Sequence, residues 1–211
     1  MNRLRSILIG NRYYFLTFLF FFLLGVYIIL SEGKAASFFS LNPYHSVVLD
    51  AFFVKFTLLG DGIFALVVFL IMLVLRRYSQ AWQLLVAFLA SALCAQLLKS
   101  YFSMPRPKQF FNPGQYAYFI DGVTHIGFSS FPSGHSTSVF TLATMLALFE
   151  KNKRWNVCYL LAAVAVGYSR IYLGQHFLGD VLMGSLLGTL LSVLVHWLFT
   201  RRSGSQVVLN S

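Results

Sequence analysis

The sequence predicts an all-α fold, an integral membrane bundle of six transmembrane helices, and three observations support it. Hydrophobic residues fill 58% of the 211 positions and charged residues only 10%, too apolar a balance for a water-soluble domain. Mean hydropathy is +0.72. Uncharged apolar runs recur along the chain at lengths that suit helices in a bilayer, where backbone groups must bond within their own segment. The length fits a single membrane-embedded domain over residues 1–211 with little outside the membrane.

The elements follow in order. Arg3, Arg5 and Arg12 precede a first span at about 13–30. A signal peptide competes for this stretch, because Ala35, Ala36 and Ser37 are small. The run exceeds the roughly 7–15 residues of a signal core, which favours a retained span. Glu32 to Lys55 is expected as a loop or amphipathic connection, with His45 at the surface. The second span, 57–75, closes on Arg76 and Arg77 and holds Asp61 near its start; a helix-end carboxylate is the simple reading of that aspartate, and contact with a site cation or sealing of a polar gap near the site is the alternative. The third, 81–98, ends at Lys99 and is followed by a loop rich in proline and aromatic residues. Spans at 135–149, 155–173 and 180–199 complete the set. Cys94 and Cys158 lie in apolar runs and read as small buried hydrophobes.

Six spans put both termini on one side. Ten of the sixteen Lys and Arg then fall on that side, and of the six acids only Glu150 does. The positive-inside rule makes the termini cytoplasmic. It also accounts for the net charge of +10 without nucleic acid. Lys99, Arg106 and Arg170 go against this bias together on the outer side, which calls for another cause.

The stretch Ser169–Asp180, SRIYLGQHFLGD, places an arginine, a histidine and an aspartate among apolar spans. Ionisable groups at membrane depth are costly and mark functional sites. His176 and Asp180 are four apart, so on a helix they share a face, and the carboxylate orients the imidazole. Gly174 is expected to break the helix before them. A histidine and an aspartate satisfying each other between packed helices is the alternative.

In the six-span topology three segments converge on the outer face. Lys99, Arg106 and Arg170 suit the non-bridging oxygens of a phosphate. Pro105 and Pro107 stiffen the loop around Arg106. Ser133 and Gly134 start a helix, where free N–H groups favour an anion. His135 is placed as general acid. His176 is the candidate nucleophile, with Asp180 fixing its tautomer. No carboxylate cluster suited to a metal is evident, so neither a metal nor another cofactor is expected.

These segments resemble the signature of the type-2 phosphatidic acid phosphatase superfamily, which also contains vanadium haloperoxidases. That signature, KxxxxxxRP, PSGH and SRxxxxxHxxxD, is matched by Lys99 with Arg106–Pro107, by Pro132–Ser133–Gly134–His135, and by Ser169–Arg170 with His176 and Asp180. The match covers a motif core of 99–180. The resemblance implies metal-independent hydrolysis of phosphate monoesters or diphosphates, usually on lipids. It also implies Lys99, Arg106, Ser133, Gly134 and Arg170 as phosphate ligands, His135 as acid, and His176 as nucleophile with Asp180 as its partner. Candidate substrates are undecaprenyl pyrophosphate, phosphatidic acid or phosphatidylglycerophosphate, and lipid A phosphate. The expected setting is a bacterial inner membrane with the site facing the periplasm. A lipid-to-lipid phosphotransferase using the same phosphohistidine and a non-catalytic membrane scaffold are the competing readings. Vanadate-dependent peroxidase chemistry fits six spans poorly. Asp121, His125 and the loop aromatics Phe110, Phe111, Tyr116, Tyr118, Phe119, Phe128 and Phe131 read as surface or interfacial groups, with a lid for lipid as the functional alternative. His196 reads as a packing or interfacial histidine.

Overall fold

A computed structural model describes residues 3–208, with side chains through Arg201. The rest of the expected polar tail lies outside the described residues or side chains. The described chain is helical: α1 (Arg3–Gly10), α2 (Arg12–Ser40), α3 (Val47–Phe56), a short 3-10 turn (Thr57–Gly60), α4 (Gly62–Val74), α5 (Tyr78–Phe102), α6 (Pro107–Phe110), α7 (Gly134–Phe149), α8 (Trp155–Tyr172) and α9 (Leu178–Val208). Helices α2, α5 and α9 are long and apolar enough to cross a membrane, and α3 with α4 makes a fourth if the 52° bend between them interrupts one span. Helix α7 is a shorter apolar helix of 16 residues, about 24 Å long.

Helix α7 is the central column. Eleven of its sixteen residues are buried, so it is enclosed by protein and not by lipid. Its contact with α9 is close because two glycines allow it. A Cβ on Gly184 would stand 2.6 Å from the Ser133 carbonyl oxygen, and one on Gly188 would stand 2.5 Å from that of Thr137. Small residues in this pattern let two backbones approach where no hydrophobic force separates helix from lipid. Hydroxyls in this core bond one another: Ser91 with Thr141 at 2.9 Å and Tyr14 with Thr144 at 2.7 Å. The second contact ties α2 into the bundle, as does Gly25 packed against Leu182 of α9.

The connection between the first two spans departs from the sequence reading. Gly33, at φ +80°, kinks α2, and the chain continues as helix to Ser40. Val47–Phe56 is helical because Ser46 caps it, its side chain accepting from the Leu49 N–H at 3.3 Å. Asp50 in the first turn and Lys55 in the last complement the helix dipole. Asp61 caps α4 at the bend by accepting from the Ile63 N–H at 3.0 Å.

His45 is not a surface histidine. Its ring stacks between Tyr172 (4.0 Å) and Tyr118 (4.7 Å), with Nδ1 3.1 Å from Asp50 and Nε2 2.9 Å from the Tyr116 hydroxyl. Cys158 is exposed on α8, not buried as its apolar run implies. Phe111 and Tyr116 are also buried, packed with Phe38 and Phe177, whereas Phe110, Tyr118 and Phe128 are exposed. The loop therefore has its own aromatic core and is more than an interfacial belt. Asp121 is exposed and pairs with Lys108 at 3.4 Å, and His125 is exposed. His196 Nδ1 lies 2.8 Å from Gln83 Oε1, and its ring meets that of Phe149 edge-on at 6.2 Å.

Candidate active site

Each predicted segment ends at the same pole of the bundle. Lys99 lies in the last turn of α5, which closes on Ser103 in a left-handed conformation at φ 43°. Its Nζ comes within 3.5 Å of where a Gly134 Cβ would be, so glycine keeps the start of α7 open to that cation. Ser133 caps α7, its hydroxyl accepting from the Ser136 N–H at 3.3 Å and from the Ser136 hydroxyl at 2.9 Å. The Ser133 N–H donates to the Asp180 carbonyl at 2.9 Å, joining the PSGH segment to the one that holds His176. His135 lies in the first turn of α7 against Gly60, where a Cβ would meet the His135 carbonyl at 3.0 Å and its Cβ at 3.1 Å.

Gly174, at φ +63°, ends α8 as its position in the sequence predicts. Phe119 fills the space where a Cβ would be, 2.9 Å away. His176 and Asp180 do meet, though not as two positions on a helix. His176 precedes α9, and the contact crosses the first turn. Nδ1 of His176 is 3.5 Å from Asp180 Oδ2, an ion-pair distance that is long for a hydrogen bond, and Nδ1 has no other partner. Asp180 Oδ2 is itself held by the Ser130 hydroxyl at 2.5 Å and the Phe177 N–H at 2.9 Å. Burial pushes the His176 pKa down to about 4, against the upward pull of Asp180. The imidazole is therefore neutral, with a lone pair, at neutral pH.

Arg170 is buried on α8 and donates from Nη1 to Thr57 Oγ1 at 2.8 Å, while its Nε has no partner. Arg106 donates to the Gln175 side-chain oxygen at 2.7 Å, to the Gln175 carbonyl at 3.3 Å and to the Ser129 hydroxyl at 3.4 Å. Burial lowers its pKa and Asp180 raises it. Among the described residues, none of Lys99, Arg106 and Arg170 is within salt-bridge distance of a carboxylate. A cavity of about 220 Å³ is lined by Lys99, Gly134 and His135, with Gly60, Gly62, Ala92 and Ala95 supplying the small walls.

Ser129, Ser130, Thr57 and Gln175 were not legible as site residues. They are neutral, and their spacing carries no chemical pattern; only their contacts across the fold reveal them.

Two histidines and three cations are thus gathered at one pole of a helical, membrane-capable bundle. The sequence pattern of the PAP2 superfamily matches residues 80–203, and the chain belongs to that superfamily. It is 35% identical over 111 residues to a lipid A 1-phosphatase of Rhizobium johnstonii, covering 53% of this chain and 44% of that one. The chain thus spans about half the length of this relative. It is 29% identical over 189 residues to an undecaprenyl-diphosphatase of Sulfolobus acidocaldarius, covering 86% and 89% of the two chains. Among solved structures, Aquifex aeolicus LpxE superposes with a TM-score of 0.69 at 28% identity, over 77% of this chain and 93% of the other.

Proposed function

We propose that the protein is an integral membrane phosphatase that hydrolyses a lipid phosphate or diphosphate through a phosphohistidine on His176. One observation carries this reading: among the described residues the three cations lack a salt-bridged carboxylate, and they stand around two histidines and a helix N-terminus. Three buried or half-buried cations outnumber the two nearby carboxylates, Asp61 and Asp180, and favour a bound anion; an oxyanion with several free oxygens suits three separate donors.

In the first step Nε2 of His176 attacks phosphorus and the bond to the leaving oxygen breaks. His135 gives that oxygen a proton. Lys99, Arg106, Arg170, the Ser133 hydroxyl and the Gly134 N–H hold the non-bridging oxygens. Asp180 holds the proton-bearing Nδ1, so that Nε2 is the free nitrogen and the positive charge formed on the ring is balanced. In the second step water attacks phosphorus, His135 accepts its proton, and the P–N bond breaks to release inorganic phosphate.

The reaction as proposed uses cations of the chain in place of a metal. Relatives carry the names lipid A phosphatase, undecaprenyl-diphosphatase and phosphatidylglycerophosphatase, and all three chemistries fit a phosphate at the bundle pole. The proposed topology has six crossings, with both termini in the cytoplasm and the site on the outer, periplasmic face. The charge bias and the shared pole of α5, α7, α8 and α9 support it.

The test is phosphate release by purified protein across a panel of lipid phosphates, with and without chelator. Release from at least one lipid, retained in chelator and lost in His176→Ala, is the expected result. Activity lost in chelator and restored only by Mg²⁺ contradicts it.

A further inference from the structure

We infer that Gln175 is a positioning residue that aims the Arg106 guanidinium at the phosphate without neutralising it. The inference rests on the phosphate-binding role proposed for Arg106.

Gln175 is 2% exposed and immediately precedes the proposed nucleophile. Both of its oxygens accept from the same nitrogen, Arg106 Nη1: the side-chain oxygen at 2.7 Å and the backbone carbonyl at 3.3 Å. Its amide nitrogen donates to the Val123 carbonyl. That contact sets which end of the amide faces Arg106, because only the oxygen can accept from a guanidinium. On its other edge Arg106 meets the Ser129 hydroxyl and carbonyl, at 3.4 and 3.5 Å. Gln175 therefore supplies the short contact, and every partner of the guanidinium is neutral.

The choice of amide over carboxylate has a physical consequence. A carboxylate at this position would accept the same hydrogen bond more strongly, but it would form a buried ion pair that competes with the substrate phosphate. It would also lose the donor to Val123. A neutral acceptor keeps the cation in place and leaves its charge for the ligand. Gln175 also connects two segments far apart in sequence. The loop that carries Arg106 and the turn that carries His176 are locked in register by one side chain, so the phosphate and the attacking nitrogen share one frame.

The test titrates orthovanadate, a phosphate mimic, into the full-length protein in detergent by calorimetry. Wild type, Arg106→Ala, Gln175→Leu and their double variant form a cycle, with Gln175→Glu measured beside it, because in an Arg106→Ala background an unpaired carboxylate would itself repel the anion. Gln175→Glu is expected to weaken vanadate binding on the order of 10- to 100-fold, close to the loss in Arg106→Ala. The double variant should bind no more weakly than Arg106→Ala alone. Gln175→Leu removes the acceptor without adding charge and should weaken binding several-fold less than Gln175→Glu; if the glutamate variant does not fold, the leucine cycle stands alone. Wild-type affinity in Gln175→Glu overturns the inference, as does a further loss in the double variant, while Arg106→Ala still weakens binding. Wild-type affinity in Arg106→Ala removes the phosphate role of Arg106 and the inference with it.

Discussion

Ser133 and Asp180 are joined by a 2.9 Å hydrogen bond from the Ser133 N–H to the Asp180 carbonyl. The bond fixes the start of α7 against the start of α9, and so sets the pole that carries His135 against the turn that carries His176. It survives in an apolar setting because Gly184 lets the two helices close on it.

Gly184→Ala tests that dependence. The added methyl would stand 2.6 Å from the Ser133 carbonyl, and relief requires α7 and α9 to part. Overpacking of this kind costs about 1–3 kcal/mol. The expected outcome is a lower thermal midpoint in detergent together with reduced phosphate release. Unchanged activity and stability would mean that the helices are not held at this distance.

Asp180→Asn keeps the side-chain shape and removes the charge. The Ser130 and Phe177 donors can still bond the amide oxygen, but the positive charge formed on His176 loses its balance. By analogy with other histidine–aspartate pairs, the turnover rate should fall on the order of 10²- to 10⁴-fold, with the far-UV spectrum unchanged. A loss below threefold would reduce Asp180 to a packing role.

Thr57→Val removes the acceptor for Arg170 at 2.8 Å while keeping the volume. Arg170 Nε already lacks a partner, so the guanidinium would then lose its fixed orientation. The apparent KM for lipid phosphate should rise roughly 3- to 10-fold, with a smaller change in kcat. A change confined to kcat would contradict a role in holding phosphate.

The position of the His176 pKa predicts pH behaviour. In the folded protein it is pushed below the ordinary 6.5, to about 4. The imidazole then stays neutral down to about pH 5, and kcat/KM, corrected for the substrate's own phosphate ionisation, should show no acid limb near 6.5. Stability follows the same sign. The unfolded chain binds a proton here below about 6.5 and the folded chain only near 4, so this residue makes the fold less stable as pH falls through that window. A His176 imidazole that titrates at 6–7 by NMR of the folded protein in detergent would contradict the assignment.

Much of the candidate site stands out in the sequence because its residues are out of place in or beside apolar spans. Arg170, His176 and Asp180 are costly there, Lys99 and Arg106 join Arg170 in going against the charge bias, and Gly134 and Gly174 mark a helix start and a helix end by their backbone needs. What stayed hidden depends on contacts across long sequence separations. His45 reads as a surface residue until Tyr118 and Tyr172 are seen on either face of its ring. Gln175 and Ser130 are ordinary polar residues until Arg106 and Asp180 are seen to depend on them. The helix at Val47–Phe56 is set by one serine cap, a weak signal beside the long apolar runs.

The most direct measurement traps the covalent intermediate. Purified protein is mixed with a radiolabelled lipid phosphate that it hydrolyses and quenched in alkali, where phosphohistidine survives; its peptides are then mapped by mass spectrometry. The label should sit on the peptide that carries His176 and be absent in His176→Ala. Label on another residue, or full turnover by His176→Ala, would contradict nucleophilic attack by this imidazole.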